Sequence, residues 1–126
     1  MPADPVTLYG TLFDGEDAPM GDALIEMWQI GGIWARTATD DQGRWRLSAA
    51  KPGAVPFVSL WIIARGINTG LHTRLYFPDA DWASDAAMAR VPAARRSTLV
   101  ASDTGDGAYR LDIRVGGAGE TVFFDV

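Results

Sequence analysis

Short apolar stretches with strand-like alternation recur along this chain, and turn-forming residues separate them. In the segment 109–115, apolar side chains take every second position and charged ones the positions between, as in a strand with one buried face and one wet face. The segment 57–64 is apolar at nearly every position, which predicts a central strand covered on both faces. Strands at such regular spacing favour an all-β fold, an antiparallel β-sandwich. The predicted strands are 6–13, 23–29, 34–39, 44–47, 57–64, 71–77, 98–102, 109–115 and 121–125.

One segment has helical character. Ser84 suits an N-cap, Asp85 lies in the first turn where the helix dipole favours an anion, and Pro92 follows the end. We therefore expect at most one short helix, near 84–90. With 126 residues and no visible linker or repeat, residues 1–126 are expected to form a single domain.

The charge balance argues against several classes of partner. The formal net charge is −5, so neither nucleic acid nor an anionic membrane surface is expected as a partner. The longest dense apolar run, 57–64, is too short to cross a bilayer. No signal peptide is legible in the first residues, so the expected location is cytoplasmic.

Few side chains in the sequence point to chemistry. The chain holds one His and no Cys, so two imidazole ligands for a mononuclear iron cannot come from this chain. His72, with Ser59, Ser97 or an Asp, could nominally compose a triad, but no G-x-S-x-G turn is present. An enzyme acting alone through His72 is therefore the least favoured hypothesis. The five Trp residues are expected mostly in the core or in subunit contacts, with an aromatic-binding surface as the alternative.

Two stretches are specific enough to indicate a family. IIARGINTGLHTRLYF at 62–77 and AYRLDIRVGGAGETVFFDV at 108–126 resemble the α chains of protocatechuate 3,4-dioxygenases, which are intradiol ring-cleavage dioxygenases of the β-ketoadipate pathway. The likeness extends in register over most of the chain. It implies an intradiol-dioxygenase type of β-sandwich, and a non-catalytic subunit of an oxidoreductase that cleaves an aromatic dihydroxy acid.

The resemblance also implies where the metal is held. In the family, a partner β chain binds Fe(III) through two Tyr and two His, and the α chain has lost these ligands. The two His positions fall here on Phe57 and Ser59, and the turn 51–53 is followed by Ala-Val-Pro where the β type has a Tyr. The fourth position lies in a stretch that this chain lacks. We therefore expect no catalytic residue, no metal ligand and no cofactor in this chain, with Fe(III) in the partner.

One residue is predicted to bind substrate. By resemblance, Arg65 of the A-R-G turn reaches the shared pocket, where a guanidinium would attract a carboxylate. The alternative is an ion pair at the α–β contact. The expected partner is a β-type chain, or else a second copy through self-association. Because this sequence is shorter than the family α chain between Gln29 and Trp34 and after residue 53, a stand-alone binding or scaffold module without chemistry is the alternative function.

Overall fold

The computed structural model describes residues 5–29, 32–50, 55–64 and 70–124. These ranges contain nine strands, one short α-helix and two 3-10 helices. The elements are β1 Pro5–Phe13, β2 Leu24–Gln29, β3 Ile33–Ala38, β4 Arg44–Ala50, β5 Phe57–Ile63, β6 Leu71–Tyr76, the 3-10 helix Trp82–Ser84, α1 Ala86–Ala89, the 3-10 helix Ala93–Thr98, β7 Ser102–Gly105, β8 Ala108–Arg110 and β9 Ile113–Arg114.

The first sheet has the strand order β4-β1-β8-β7, and β9 lies beside β1. β1 is its long central strand, antiparallel to β4 and parallel to β8 and β9. On its outer face Tyr9 lies between Arg46 of β4 and Arg110 of β8 in register. This sheet therefore presents a polar, arginine-bearing outer surface.

The second sheet has the order β3-β2-β5-β6 and is antiparallel throughout. β5 is a central strand, as the sequence predicts. Ser59 of β5 lies opposite Trp28 of β2 on one side and opposite Arg74 of β6 on the other. Because side chains alternate between faces, these residues share the outer face of the sheet.

The core lies between the two sheets. In β1 and β5 every second side chain is buried, and the residues between them are exposed or half-buried. This alternation is the physical basis of a two-layer sandwich. The largest fully buried non-aromatic side chains of this core are those of Leu8, Leu12, Ile25, Met27, Leu60, Ile62, Leu75 and Ile113.

A smaller apolar cluster covers one end of the second sheet. The segment 82–98 crosses the outer face there, and Met88 of α1 is fully buried against Tyr76 with Val91 and Leu99. The N-cap of α1 is Asp85, one residue after the predicted Ser84, because the Asp85 carboxylate accepts a hydrogen bond from the Met88 amide at 3.2 Å.

Three strand predictions are wrong in detail, and local hydrogen bonds explain two of them. In the predicted strand 98–102, the Thr98 hydroxyl donates to the Arg95 carbonyl at 2.8 Å and closes a 3-10 turn. In 109–115, the Thr11 amide of β1 donates a hydrogen bond to an Asp112 carboxylate oxygen at 3.0 Å. That amide is then not available for a backbone hydrogen bond between the strands, and the predicted strand is divided into β8 and β9. Residues 121–124 contribute a single bridge, between His72 and Phe124.

The expectation that both faces of β5 are covered is also wrong. Its inner residues are buried, but Phe57, Ser59 and Trp61 are half-buried and Ile63 is exposed. The segment 82–98 covers only one end of this face.

Within the part of the chain that the structure describes, no helix is long and apolar enough to cross a membrane.

Candidate functional site

The outer face of the second sheet gathers most of the residues that the sequence singled out. Phe57 and Ser59, the positions that the resemblance equates with metal-binding imidazoles, point to this face from β5. From β6, His72, Arg74 and Tyr76 point the same way, since they follow each other at every second position. The candidate site is therefore an aromatic surface that contains the half-buried cationic side chain of Arg74.

Arg74 lies at the centre of this surface. Its guanidinium carbon is 3.9 Å from the centroid of the Phe57 ring and 5.2 Å from that of Phe124. The same guanidinium donates from Nη1 to the Tyr76 hydroxyl at 3.0 Å and to the Asp85 carboxylate at 3.3 Å. A cation held over aromatic faces and paired with a carboxylate is stabilised by both interactions.

Asp85 connects this cation to the helical segment. One carboxylate oxygen of Asp85 accepts three hydrogen bonds: from the Tyr76 hydroxyl at 2.7 Å, from Arg74 Nη1 at 3.3 Å and from the Met88 amide at 3.2 Å. The Arg74 and Asp85 side chains keep only 21% and 17% of their surface exposed. A single carboxylate therefore caps α1 and joins it to β6.

The Tyr76 phenol is held in its neutral form. Burial raises its pKa to about 12, the Arg74 guanidinium opposes that rise, and the hydrogen bond to Asp85 adds to it. Tyr76 is fully buried and donates its proton to Asp85. It is thus a hydrogen-bond donor and not a phenolate, the form in which a tyrosine binds ferric iron.

The residues at this face do not fit a ferric site. Phe57 offers no donor atom, and Ser59 offers only a neutral hydroxyl. Arg74 places a positive charge over Phe57, where a second cation would be repelled. Among residues 5–29, 32–50, 55–64 and 70–124, no group of three or more His, Cys, Asp or Glu could hold a metal ion.

His72 is a packed aromatic residue in this arrangement. It is buried, its ring stacks on Trp61 at 4.8 Å with 17° between the planes, and its Nδ1 has no hydrogen-bond partner. Burial lowers the pKa of His72, and the nearby Arg74 charge lowers it further. Ser97 is exposed in the 3-10 helix and Ser59 lies opposite Arg74 in register. This geometry gives no support to a Ser-His relay through Nδ1.

The predicted substrate-binding residue, Arg65, lies outside the described residues, as do the turn 51–53 and residues 30–31. Conversely, the sequence reasoning did not single out the Arg74–Asp85 pair. A usable signal was present in the strand 71–77, because His72, Arg74 and Tyr76 place polar groups on one face of an otherwise apolar strand. Such a face needs a counter-charge from elsewhere in the fold.

Solved structures share this sandwich. The dioxygenase domain of a dioxygenase and carbohydrate-binding protein fusion from Streptomyces sp. SirexAA-E matches with a TM-score of 0.72 and 24% identity, over 93% of this chain and 82% of that one. An intradiol ring-cleavage dioxygenase from Tetranychus urticae matches with a TM-score of 0.70 and 13% identity, over 94% and 84%. The fold is that of the intradiol ring-cleavage dioxygenases.

Sequence relatives narrow this class. The protocatechuate 3,4-dioxygenase α chain of Pseudomonas putida is 36% identical over 98% of this chain and 77% of its own length, and that of Burkholderia cepacia is 38% identical over 96% and 77%. The chain belongs to the family of protocatechuate 3,4-dioxygenase α chains. The first alignment spans 159 residues, more than this chain contains, so the relative carries segments that this chain lacks. No protein-family model matches the sequence.

Replacing Asp85 with Ala removes the α1 cap and leaves a buried phenol donor and the Arg74 charge without their carboxylate. We expect the free energy of unfolding to fall by about 2–4 kcal/mol, measured by urea denaturation. Asp81→Ala is the matched control, because the Asp81 carboxylate bonds the Ser84 hydroxyl at an exposed position. Equal losses in the two variants would contradict the role given to Asp85.

His72 should make stability depend on pH near neutrality. Its pKa is below the ordinary value of 6.5 in the folded chain, so the unfolded chain binds more protons as the pH falls through that value. The free energy of unfolding should therefore decrease as pH drops below about 6.5. His72→Phe keeps an aromatic ring against Trp61 and removes the titration. The free energy of unfolding of the wild type minus that of the variant should therefore decrease as the pH is lowered from about 7.5 to about 5. A difference that stays constant over this range would contradict the buried, neutral imidazole.

Proposed function

We propose that this chain is the non-catalytic α-type subunit of an intradiol dioxygenase that acts on protocatechuate. In this proposal, Fe(III) is bound by a β-type partner chain. The observation that carries the proposal is the state of the ligand-equivalent positions: a member of an α-chain family has Phe57 and Ser59 there, with the Arg74 guanidinium 3.9 Å from the Phe57 ring. A chain built in this way contributes to a dioxygenase through its fold and its contacts.

The reaction of the proposed complex is ring opening of 3,4-dihydroxybenzoate by O₂ to 3-carboxy-cis,cis-muconate. Both oxygen atoms of O₂ enter the product, so the reaction needs no other oxidant or reductant. Arg65 is the residue of this chain that we propose to bind the substrate carboxylate, by charge-assisted hydrogen bonding. The other contribution of this chain is to hold its partner in the assembled state.

A stand-alone binding or scaffold module is the second candidate function. The observation in its favour is that the relatives carry segments absent from this chain. The near-complete match to two α chains supports the subunit role more strongly.

Co-expression with a β-type chain, one that carries a His-x-His on an apolar strand, tests the subunit role. We expect a heteromeric complex that consumes O₂ with protocatechuate, while this chain alone is inactive. The control is His72→Phe in the complex, which should turn over normally because His72 is a packing residue. Turnover by the isolated chain that this substitution abolishes would contradict the proposal, and so would failure of the two chains to associate.

Substituting Arg65 tests its proposed role within that complex. Arg65→Ala should raise the KM for protocatechuate by about 10- to 100-fold, as expected for a lost charge-assisted hydrogen bond. Arg65→Lys should recover part of this loss, since the charge remains but the bidentate geometry does not. Arg36→Ala, on the outer face of the second sheet, is the matched control. An unchanged KM for Arg65→Ala together with a less stable complex would assign Arg65 to an ion pair at the chain contact instead.

A further inference from the structure

We propose that the outer face of the first sheet holds a binding site for a small hydroxylated aromatic carboxylate. The site is a concave cavity of about 570 Å³ around Tyr9 of β1, with Arg46 of β4 and Arg110 of β8 on either side. A cavity of this size suits a small organic molecule. It lies on the other sheet from Phe57 and Ser59, so this inference does not depend on the proposed function.

Three neighbouring strands position the two arginines. Tyr9 lies opposite Arg46 on one side and opposite Arg110 on the other. The preceding residue, Leu8, is fully buried, so Tyr9 and its two partners in register share the outer face. Adjacent strands lie about 4.8 Å apart, so the arginines start roughly 10 Å from each other at the backbone. A carboxylate above the Tyr9 ring would lie between these two long cationic side chains.

The charges in the cavity favour a single carboxylate. Arg44, which also lines it, pairs with Asp40 at 2.9 Å, and Arg110 pairs with Asp112 at 3.2 Å. No carboxylate of the described residues lies within ion-pair distance of Arg46, which is exposed. One guanidinium without a counter-charge can bind one carboxylate in a bidentate manner. It does not suit a polyanion such as nucleic acid, whose binding needs many cations.

Tyr9 supplies a surface for an aromatic ring. Its hydroxyl donates to Thr104 Oγ1 at 3.0 Å, and the Thr104 hydroxyl donates to the Ala108 carbonyl at 3.2 Å. The phenol is therefore fixed before a ligand arrives, which lowers the entropy cost of binding. Gly10 and Ala108 line the cavity without long side chains, so the space beside the Tyr9 ring stays open. An aromatic ligand can stack there, whereas a bare inorganic anion would leave most of the volume unfilled.

The end of the cavity away from the arginines carries oxygen atoms. Thr7 lines the cavity two residues before Tyr9 on the same face, which is about 6.6 Å along the strand. The Thr7 amide donates to the Gly107 carbonyl at 2.8 Å, and this bond brings the turn that holds Asp106 to the same end. A carboxylate such as Asp106 disfavours a second negative charge but accepts a hydrogen bond from a hydroxyl. A benzene ring with a carboxylate and a para hydroxyl fits this order of groups.

Isothermal titration calorimetry of the purified chain with 4-hydroxybenzoate tests the inference. We expect saturable binding at one site. Two comparison ligands separate the parts of the argument: 4-hydroxybenzyl alcohol lacks the charge, and inorganic phosphate lacks the ring. Each should bind at least about 10-fold more weakly than 4-hydroxybenzoate, because each loses either the charge-assisted hydrogen bonds or the stacking on Tyr9.

Substitutions identify the side chains that bind this ligand. Arg46→Ala should weaken binding of 4-hydroxybenzoate by about 10- to 100-fold, and Arg46→Lys should weaken it less, since the charge remains. Arg36→Ala is the matched control, because it removes an exposed arginine from the outer face of the second sheet, and it should change binding less than about 2-fold. Asp106→Asn should reduce the preference for 4-hydroxybenzoate over benzoate. Urea unfolding verifies that each variant is folded.

Three outcomes would overturn the inference. The first is an absence of saturable binding, or binding that Arg46→Ala leaves unchanged. The second is phosphate binding as tightly as 4-hydroxybenzoate, which would make the cavity a site for anions in general. The third is a loss of binding in Arg65→Ala but not in Arg46→Ala, which would assign the ligand to the proposed substrate-binding residue. None of them bears on association with a β-type chain, so the proposed function stands or falls separately.

Discussion

The ion pair between Arg74 and Asp85 is the interaction on which the rest of this site depends. It is mostly buried, and it joins β6 of the second sheet to the cap of α1. Burying two charges is favourable only where hydrogen bonds satisfy them. Here the Tyr76 hydroxyl and the Met88 amide supply those bonds to the carboxylate. The guanidinium meanwhile lies over the Phe57 ring, so the position that the resemblance associates with an imidazole ligand is occupied by a cation–π contact.

This arrangement explains how the sandwich can exist without a metal site among the residues that the structure describes. The two sheets are held by apolar side chains that alternate with polar ones, and none of that core packing requires a ligand. The outer face can therefore exchange metal ligands for an ion pair and aromatic contacts while the fold remains. Under the proposed function, the role of this chain lies in the surface that it presents to a partner, in keeping with the general rule that a fold does not by itself determine a function.

The sequence predicted the limits of four strands well, including β5, which is apolar at nearly every position. β1, β2, β5 and β6 fall close to their expected limits because each has a regular buried face. Prediction failed where a side-chain oxygen forms a hydrogen bond with the backbone, as Asp112 does with the Thr11 amide and Thr98 with the Arg95 carbonyl. The Arg74–Asp85 pair was not predictable because its members come from different elements that only the tertiary fold brings together. The assignment of Phe57 and Ser59 to ligand positions, by contrast, depends on the family resemblance and on residue identity, and it stays a prediction.

Iron analysis of the isolated chain is the most direct test of the central claim that this polypeptide cannot hold ferric ion by itself. The chain would be purified without a partner, exposed to Fe(III), desalted and measured for bound iron and for visible absorption on adding catechol. The account predicts iron far below one equivalent and no catechol-dependent colour, because Phe57, Ser59 and the Arg74 cation provide no ligand set. A stoichiometric ferric centre whose colour responds to catechol would contradict it.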